Sequence, residues 1–436
     1  MTLSIIIFLI TYMMIASEKV DKTVAALLGA GAVIMLHLAP YDKLLSAVDL
    51  NVIFLLVGMM IIVHIMSLTG VFEWIAIMIA QKAKGNGIVI LVELLVVTAI
   101  LSAFLDNVTT VIFIAPITIL ITQILEIPTV PILIMEAIFS NIGGTSTLVG
   151  DPPNILIGSR VGLTFNEFLI NQGPVVLIIS GVSLLIVIPL LGKVLKVSPE
   201  AKSRIMKAKP ERAIIEPGIL YRAIPVFLLV LAGFFLSRVL RIEPGIIALT
   251  GAVLMALVCK VDLSHAMEKV SWSTILFFIG LFMLIGALEF NGLFTILGRA
   301  VIFWTHGNFL LTVIAVLWFC AVFSALVDNI PLVIAMIPII KTLIPVFAVQ
   351  FGIQDMPELV RVQITEPLFW ALSLGACLGG NGSLVGASAN VVISQIAKRN
   401  KYKLSFWDFS KYGFPLMIVS LVISSLYLYI RYFLIR

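Results

Sequence analysis

The sequence predicts an all-α polytopic membrane protein: an inverted repeat of five transmembrane helices plus one re-entrant hairpin per half, with a broken helix in each half. Three observations predict it. The first is composition. Of 436 residues, 61% are hydrophobic and 12% charged, with a mean hydropathy of +1.18; a soluble domain averages about 45–50% apolar and about 25% charged. So little charge cannot coat a water-facing surface of this size, which excludes a cytosolic enzyme, a nucleic-acid binder and a disordered chain. The second is that the apolar runs form two series in the same order. The third is that each series carries an Asp-Asn pair and a glycine-rich interruption within apolar sequence. The runs are continuous, not alternating, so an outer-membrane barrel is excluded too.

A span needs about 20 apolar residues. Such runs lie near 2–17, 23–39, 51–69, 87–105, 108–125, 130–158 and 174–192, and again near 222–240, 245–260, 273–290, 307–327, 330–350, 364–397 and 413–434. The first lacks a basic flank and a small-residue cleavage site, and reads as a membrane helix, not a leader. An offset of 222 positions brings Ala26, Gly29 and Ala30 onto Ala248, Gly251 and Ala252, and Gly58 onto Gly280. It also brings Ser102, Ala103, Asp106 and Asn107 onto Ser324, Ala325, Asp328 and Asn329. An offset of 236 then brings Gly143, Gly144, Gly150 and Asn154 onto Gly379, Gly380, Gly386 and Asn390. The polar insertion around 354–363 accounts for the change. Polar and glycine matches in order at fixed spacing mark a duplication. The repeats are 1–196 and 222–436, joined by a basic linker, 197–221.

Charge orients the chain. Lys193, Lys196, Lys202, Arg204, Lys207, Lys209 and Arg212 crowd one loop, and Lys398, Arg399, Lys401, Lys403 and Lys411 another. Basic loops stay in the cytoplasm, so 193–222 and 398–411 are expected there, in a bacterial-type inner membrane, with both termini external. Five crossings per half invert the repeats and put Lys19, Lys22, Lys82, Lys84, Lys260 and Lys269 on the same inner side. Arg238 and Arg241 fall on the other. Fully crossing hairpin arms would keep the parity odd, so charge accommodates both forms. Cys259, Cys320 and Cys377 are odd in number and scattered, implying no disulfide framework or metal cluster.

The chemistry is expected at the interruptions. The stretch from Ser140 to Asn154, SNIGGTSTLVGDPPN, has three glycines and two adjacent prolines and cannot stay helical. Its partner contains Gly379, Gly380, Asn381, Gly382, Ser383, Gly386 and Asn390, without the prolines. Non-helical backbone at membrane depth is tolerated only inside protein or around a cavity, and paired interruptions in corresponding halves point to a midplane transport site. Kinks made for helix packing alone would also produce them. The second element is Asp106-Asn107-Val108-Thr109-Thr110 and its partner Asp328-Asn329. A carboxylate at bilayer centre costs about 2.5–3.5 kcal/mol. Asp and Asn both turn and cap, so each pair can reverse a hairpin and aim the returning helix's N-terminal amides at the centre. Simple capping is the competing account of both aspartates.

The sequence D-N-V-T-T followed by S-N-I-G-G-T-S-T-L-V-G-D-P-P-N resembles the ArsB/NhaD ion transporter superfamily, and looks closest to its branch of arsenite efflux permeases and melanosomal P proteins. The resemblance extends over essentially the whole chain. It implies a substrate and ion site formed by Asp106, Asn107, Thr109, Thr110, Gly143, Gly144, Thr145, Ser146, Asp151 and Asn154 in the first half. In the second half it implies Asp328, Asn329, Gly379, Gly380, Asn381, Ser383 and Asn390. The second half departs from the pattern: Asp151 has Ala387 as its counterpart, and Pro152-Pro153 have Ser388-Ala389. One asymmetric site is therefore expected, its charge weighted to the first half; Asn381 sits in the glycine-rich break and Ser388 beyond that break.

His64, Glu93 and Glu136 interrupt apolar runs and are candidate proton carriers or buried hydrogen-bonded side chains; Lys341 is expected to snorkel. Neither motif contains Lys or Arg, which disfavours a multiply charged anion. The resemblance implies export of arsenite or antimonite as a neutral trivalent hydroxide, coupled to H+ or Na+, with no cofactor and no catalysis. The lipid bilayer is the obligatory partner; a cytosolic arsenical ATPase on the basic linker and a homodimer are further expectations. A sodium–proton antiporter and an anion channel of the same fold are the alternatives. An intramembrane aspartyl protease is disfavoured because Leu148 stands where its G-x-G-D motif needs glycine.

Overall fold

A computed structural model describes residues 2–16, 19–192, 194–206 and 209–434, and every regular element among them is helical. The first half contains α1 (Thr2–Ala16), α2 (Lys22–Met35), α3 (Leu50–Ser67), α4 (Val71–Lys82), α5 (Gly87–Leu105), α6 (Asn107–Leu125), α7 (Thr129–Gly144), α8 (Pro152–Val161) and α9 (Phe165–Gly192). The second contains α10 (Pro217–Leu240), α11 (Pro244–Cys259), α12 (Trp272–Phe290), α13 (Leu293–Trp304), α14 (Phe309–Leu326), α15 (Asn329–Gln350), α16 (Glu366–Gly379), α17 (Ser388–Arg399) and α18 (Phe406–Tyr429). Nine helices among the described residues are long and apolar enough to cross a membrane.

The helices start where the sequence supplies caps. Asp21 accepts from the Thr23 amide (2.9 Å), Asn86 from that of Ile88 (3.1 Å) and Asn308 from that of Leu311 (2.9 Å), each satisfying an amide the helix leaves open. The 130–158 run divides at the glycines into α7 and α8, and Pro152 opens α8 at a position where proline's missing N–H costs nothing. Two elements were not anticipated as spans, α4 and α13. Each has 12 residues, about 18 Å of helix, too short for a span-length criterion. α9 begins earlier than expected, because Asn166, Glu167, Asn171 and Gln172 continue the helix on protein-facing ground.

The two halves hold each other by reciprocal contacts. α3 packs on α11, and α2 packs on α12. Each pairing is close because of a glycine. A Cβ on Gly280 would stand 2.8 Å from the Ala26 carbonyl carbon, and one on Gly58 would stand 2.6 Å from the Ala248 carbonyl oxygen. These are the glycine and alanine matches of the repeat, now facing each other across it. Likewise α8 packs on α15 and α17 on α6. Contacts exchanged in this two-way fashion are those of an isologous pair, here within one chain.

The linker is structured. Helix Pro199–Met206 and the turn Pro210–Ala213 lie on the first half, Arg204 pairs with Glu126 at 2.5 Å, and Ile215 donates to the Thr69 carbonyl at 3.0 Å. Lys193 and Lys207 lie outside the described residues.

Candidate functional site

Each hairpin turns back against the break of its own half. Ser102 on α5 donates to the Ser140 carbonyl at 2.6 Å, and Thr147 in the break donates to the Ala103 carbonyl. The second half repeats both bonds: Ser324 to Ala376 at 2.6 Å and Ser383 to Ala325 at 2.5 Å. A Cβ on Gly143 or Gly379 would strike the backbone of Ala99 or Ala321 on the hairpin arm, so these glycines let the arm approach. Gly144 and Gly380 face the carbonyls of Gly150 and Gly386 in the same way.

The breaks are closed by one asparagine each. The Asn154 amide donates to the carbonyls of Thr145 (3.1 Å) and Thr147 (2.9 Å), and that of Asn390 to Gly380 (2.8 Å) and Ser383 (2.9 Å). A buried carbonyl freed by a helix break needs such a donor. The hydroxyls of Thr110, Thr145 and Ser146 also serve local backbone, on Asp106, Asn141 and Gly143.

Between the two breaks lies an amide cluster. Asn141, fully buried, donates to Asn381 Oδ1 (2.9 Å) and Asn390 Oδ1 (3.0 Å) and accepts from Asn107 (3.0 Å). Its repeat counterpart, Cys377, contacts Asn154 Oδ1 from the other side (3.5 Å), beside Ser373, which donates to the same atom at 2.6 Å and accepts from Gln172. Asp151 is 1% exposed; the Cys377 thiol and the Asn107 amide are its polar neighbours, and neither carboxylate oxygen makes a well-formed hydrogen bond among the described residues. Asn107 Oδ1, Asn329 Nδ2 and Asn381 Nδ2 are buried and unpartnered. An unsatisfied buried polar group costs about 1–3 kcal/mol, and such groups concentrated at one point mark a place to bind something.

The two Asp-Asn turns differ. Asp106 caps α6, accepting from the Thr109 amide (2.9 Å) and hydroxyl (2.5 Å), and its φ of +81° is a strained conformation for a residue with a side chain. Asp328 caps α15 with φ −51° and pairs with the Lys22 ammonium at 2.9 Å. Ser388, the first residue of α17 after the glycine-rich break, donates to the same Asp328 oxygen at 3.2 Å. It reaches there because α17 lacks the prolines of α8 and offers a hydroxyl at its first residue. Lys22 was expected among the loop charges; it opens α2, next to the cap Asp21, and lies against Phe277 of α12. The motifs themselves contain no basic residue, yet the folded site has one.

A cavity of about 510 Å³ runs from Asp106 and Thr109 to Lys22, His64, Ser67, Lys269 and Ser388. Its repeat counterpart is lined by Ala47, Arg160, Phe282, Gly286, Glu289 and Lys341 and holds only about 40 Å³. Arg160 seals it, pairing with Asp49 (3.2 Å), donating to the Ala47 carbonyl and covering Phe282. Lys341, expected to snorkel, lines this sealed space. Glu136 is buried and accepts from Thr118; Glu93 Oε2 and His64 Nε2 are buried without partners. Among the described residues no His, Cys, Asp or Glu cluster is placed to hold a metal ion. The sequence reading omitted Asn141, Ser373 and Gln172. Asn141 stood in the quoted motif but has cysteine as its repeat counterpart, so matching halves could not single it out.

A family profile described as CitMHS, citrate transporter, matches residues 12–365. A protein of Mycobacterium tuberculosis named an uncharacterized transporter is 42% identical over 434 residues, covering 99% of this chain and 98% of the relative. The P protein of Sus scrofa is 31% identical over 513 residues, covering 99% of this chain and 59% of that protein. The YdaH transporter of Alcanivorax borkumensis, described as having an unusual topology, is similar in fold, with a TM-score of 0.60 at 11% identity over 91% of this chain and 87% of that one.

Proposed function

The chain belongs to the CitMHS citrate transporter family of the ion transporter superfamily, and on that premise we propose that it exports arsenite or antimonite, as the neutral trivalent hydroxide, in exchange for protons. It is a multi-pass membrane transporter. The observation that carries the cargo reading is the amide cluster of Asn107, Asn141, Asn381 and Asn390 beside the buried Asp151 carboxylate. Amides and carboxylates complement a small solute that both donates and accepts hydrogen bonds through hydroxyls. The same carboxylates, Asp106 and Asp151, supply seats for the coupling cation. Each charge moved across the membrane is worth about 2.3 kcal/mol per 100 mV, which is ample to drive export. The face with Lys22 and Lys269 is cytoplasmic in this reading, in accord with the basic loops of an inner-membrane protein.

One observation favours a second cargo class. Lys22 and Lys269 both line the cavity that leads to Asp106, and paired cations suit a carboxylate anion such as the one in the family's description. Everted vesicles under an imposed pH gradient separate the readings. Arsenite accumulation that a protonophore abolishes is expected; citrate accumulation with none of arsenite would replace the first reading by the second.

A further inference from the structure

We propose that the Lys22 ammonium acts at Asp328 as a built-in cation, so that the paired Asp-Asn turns offer one seat for a mobile coupling cation and not two. This rests on the reading of the protein as a cation-coupled transporter. The duplication presents two equivalent carboxylates, Asp106 and Asp328, each capping the helix that returns from a hairpin. At the second, the ammonium lies 2.9 Å from Asp328 Oδ2 and 3.4 Å from Ser388 Oγ, with the Phe277 ring 5.1 Å away. A carboxylate, a hydroxyl and an aromatic face are each favourable partners for a cation, although the Lys22 side chain keeps 37% of its surface exposed.

The first half has no equivalent. The repeat counterpart of Lys22 is Pro244, which opens α11 without a charge. No ion pair to Asp106 or Asp151 exists among the described residues; the ammonium of Lys22 is bonded to Asp328. The Asp151 carboxylate is buried in the break of the same half as Asp106, so the first half holds two carboxylates with no tethered ammonium between them among the described residues. Lys22, by contrast, is carried on the helix that packs on α12, while Asp328 and Ser388 belong to the hairpin and the break. The tethered charge therefore bridges two parts of the molecule.

The test counts cation sites on the purified full-length protein in detergent, with no cargo present. Melting temperature is titrated with NaCl against N-methylglucamine chloride, and with pH at constant salt. The count is the limiting slope of the stabilisation free energy against RT ln[cation]; wild type is expected to give about 1, which Asp106→Asn removes. Lys22→Met is expected to raise the slope to about 2, and Lys22→Met/Asp328→Asn to lose the gain again. Asp328→Asn alone is expected to leave the wild-type count unchanged. This last variant keeps the test alive should Lys22→Met fail to fold. A wild-type count of two that Asp328→Asn halves would overturn the proposal, as would a folded Lys22→Met with the wild-type count. Absence of any cation response in wild type would instead remove the coupled-transport reading beneath it.

Discussion

Two of the cavities flanking the broken helices are built by matching positions of the two halves, yet one encloses about 510 Å³ and the other about 40 Å³. Met60, His64, Ser67 and Ile112 of the larger have Phe282, Gly286, Glu289 and Ile334 as counterparts in the smaller. The difference lies in what crosses them. Arg160 reaches from α8 to Asp49 and to the Ala47 carbonyl, whereas its counterpart on α17 is Ile396, which can make no such bridge. Asp49 in turn holds Ser159 at 2.9 Å, and Asn51 ties Ser159 (3.0 Å) to the Gly245 amide (2.7 Å). Of these two matching cavities one thus stands wide and the other is latched, while a further cavity of about 520 Å³ opens on Lys22 and Asp328. The Asp-Asn turns show the same lesson in electrostatics: one aspartate is strained and without a cation, the other relaxed and paired.

The sharpest way to break this comparison is Asp106→Asn, which is expected to reduce coupled transport to background in vesicles with insertion retained. The matching Asp328→Asn is expected to leave measurable transport. Equal losses would mean that the two turns do the same work. Next in size, Asp49→Asn or Arg160→Gln is expected to unlatch the small cavity. A cysteine placed at Ile337, now 5% exposed, should then react with a membrane-impermeant maleimide about tenfold faster, the population shift expected from losing about 1.4 kcal/mol of latch energy. Unchanged labelling would show that packing, not the ion pair, closes that face.

Stability gives a smaller contrast. Gly280→Ala drives a methyl into Ala26 backbone and is expected to cost about 1–3 kcal/mol in overpacking, read as a lower melting temperature in detergent. Gly31→Ala, with nothing within 4 Å of the added methyl, is expected to be neutral or slightly stabilising. If the two variants behave alike, the close approach of α2 and α12 is wrong. The smallest effect concerns Ser388. Its hydroxyl supports Asp328 beside a stronger ion pair, so Ser388→Ala is expected to lower transport only about twofold, a hydrogen bond's net worth of about 0.5 kcal/mol. Asn381→Ala, which removes an Asn141 partner, is expected to do more.

Much of the architecture was legible in advance, for local reasons. Apolar length marked the spans, and Gly143-Gly144 with Pro152-Pro153 marked the break where α7 gives way to α8. The offset of 222 positions placed Gly58 and Ala26 on Gly280 and Ala248, although not that each glycine would meet the other half's alanine. The short helices α4 and α13 escaped because they are not span-length. At the site, the residues around each turn and break were named, but several of them, Gly143, Asn154 and Asn390 among them, are committed to closing the break itself. Lys22 could not be found from motifs, since it lies 306 positions from its partner.

By itself the sequence determined what depends on neighbours along the chain: membrane class, most span positions, the two Asp-Asn caps, the interruptions and the repeated pattern that carries them. Only the tertiary structure decided what depends on distant segments meeting. It joined Asn141 to Asn381 and Asn390, brought Lys22 to Asp328, and let Arg160 close one of two matching cavities. The reason is physical. Helix propensity and backbone breaks are short-range properties of adjacent residues, whereas the partner of a buried charge or amide is chosen by the packing of whole helices, to which its own neighbours in sequence carry no guide.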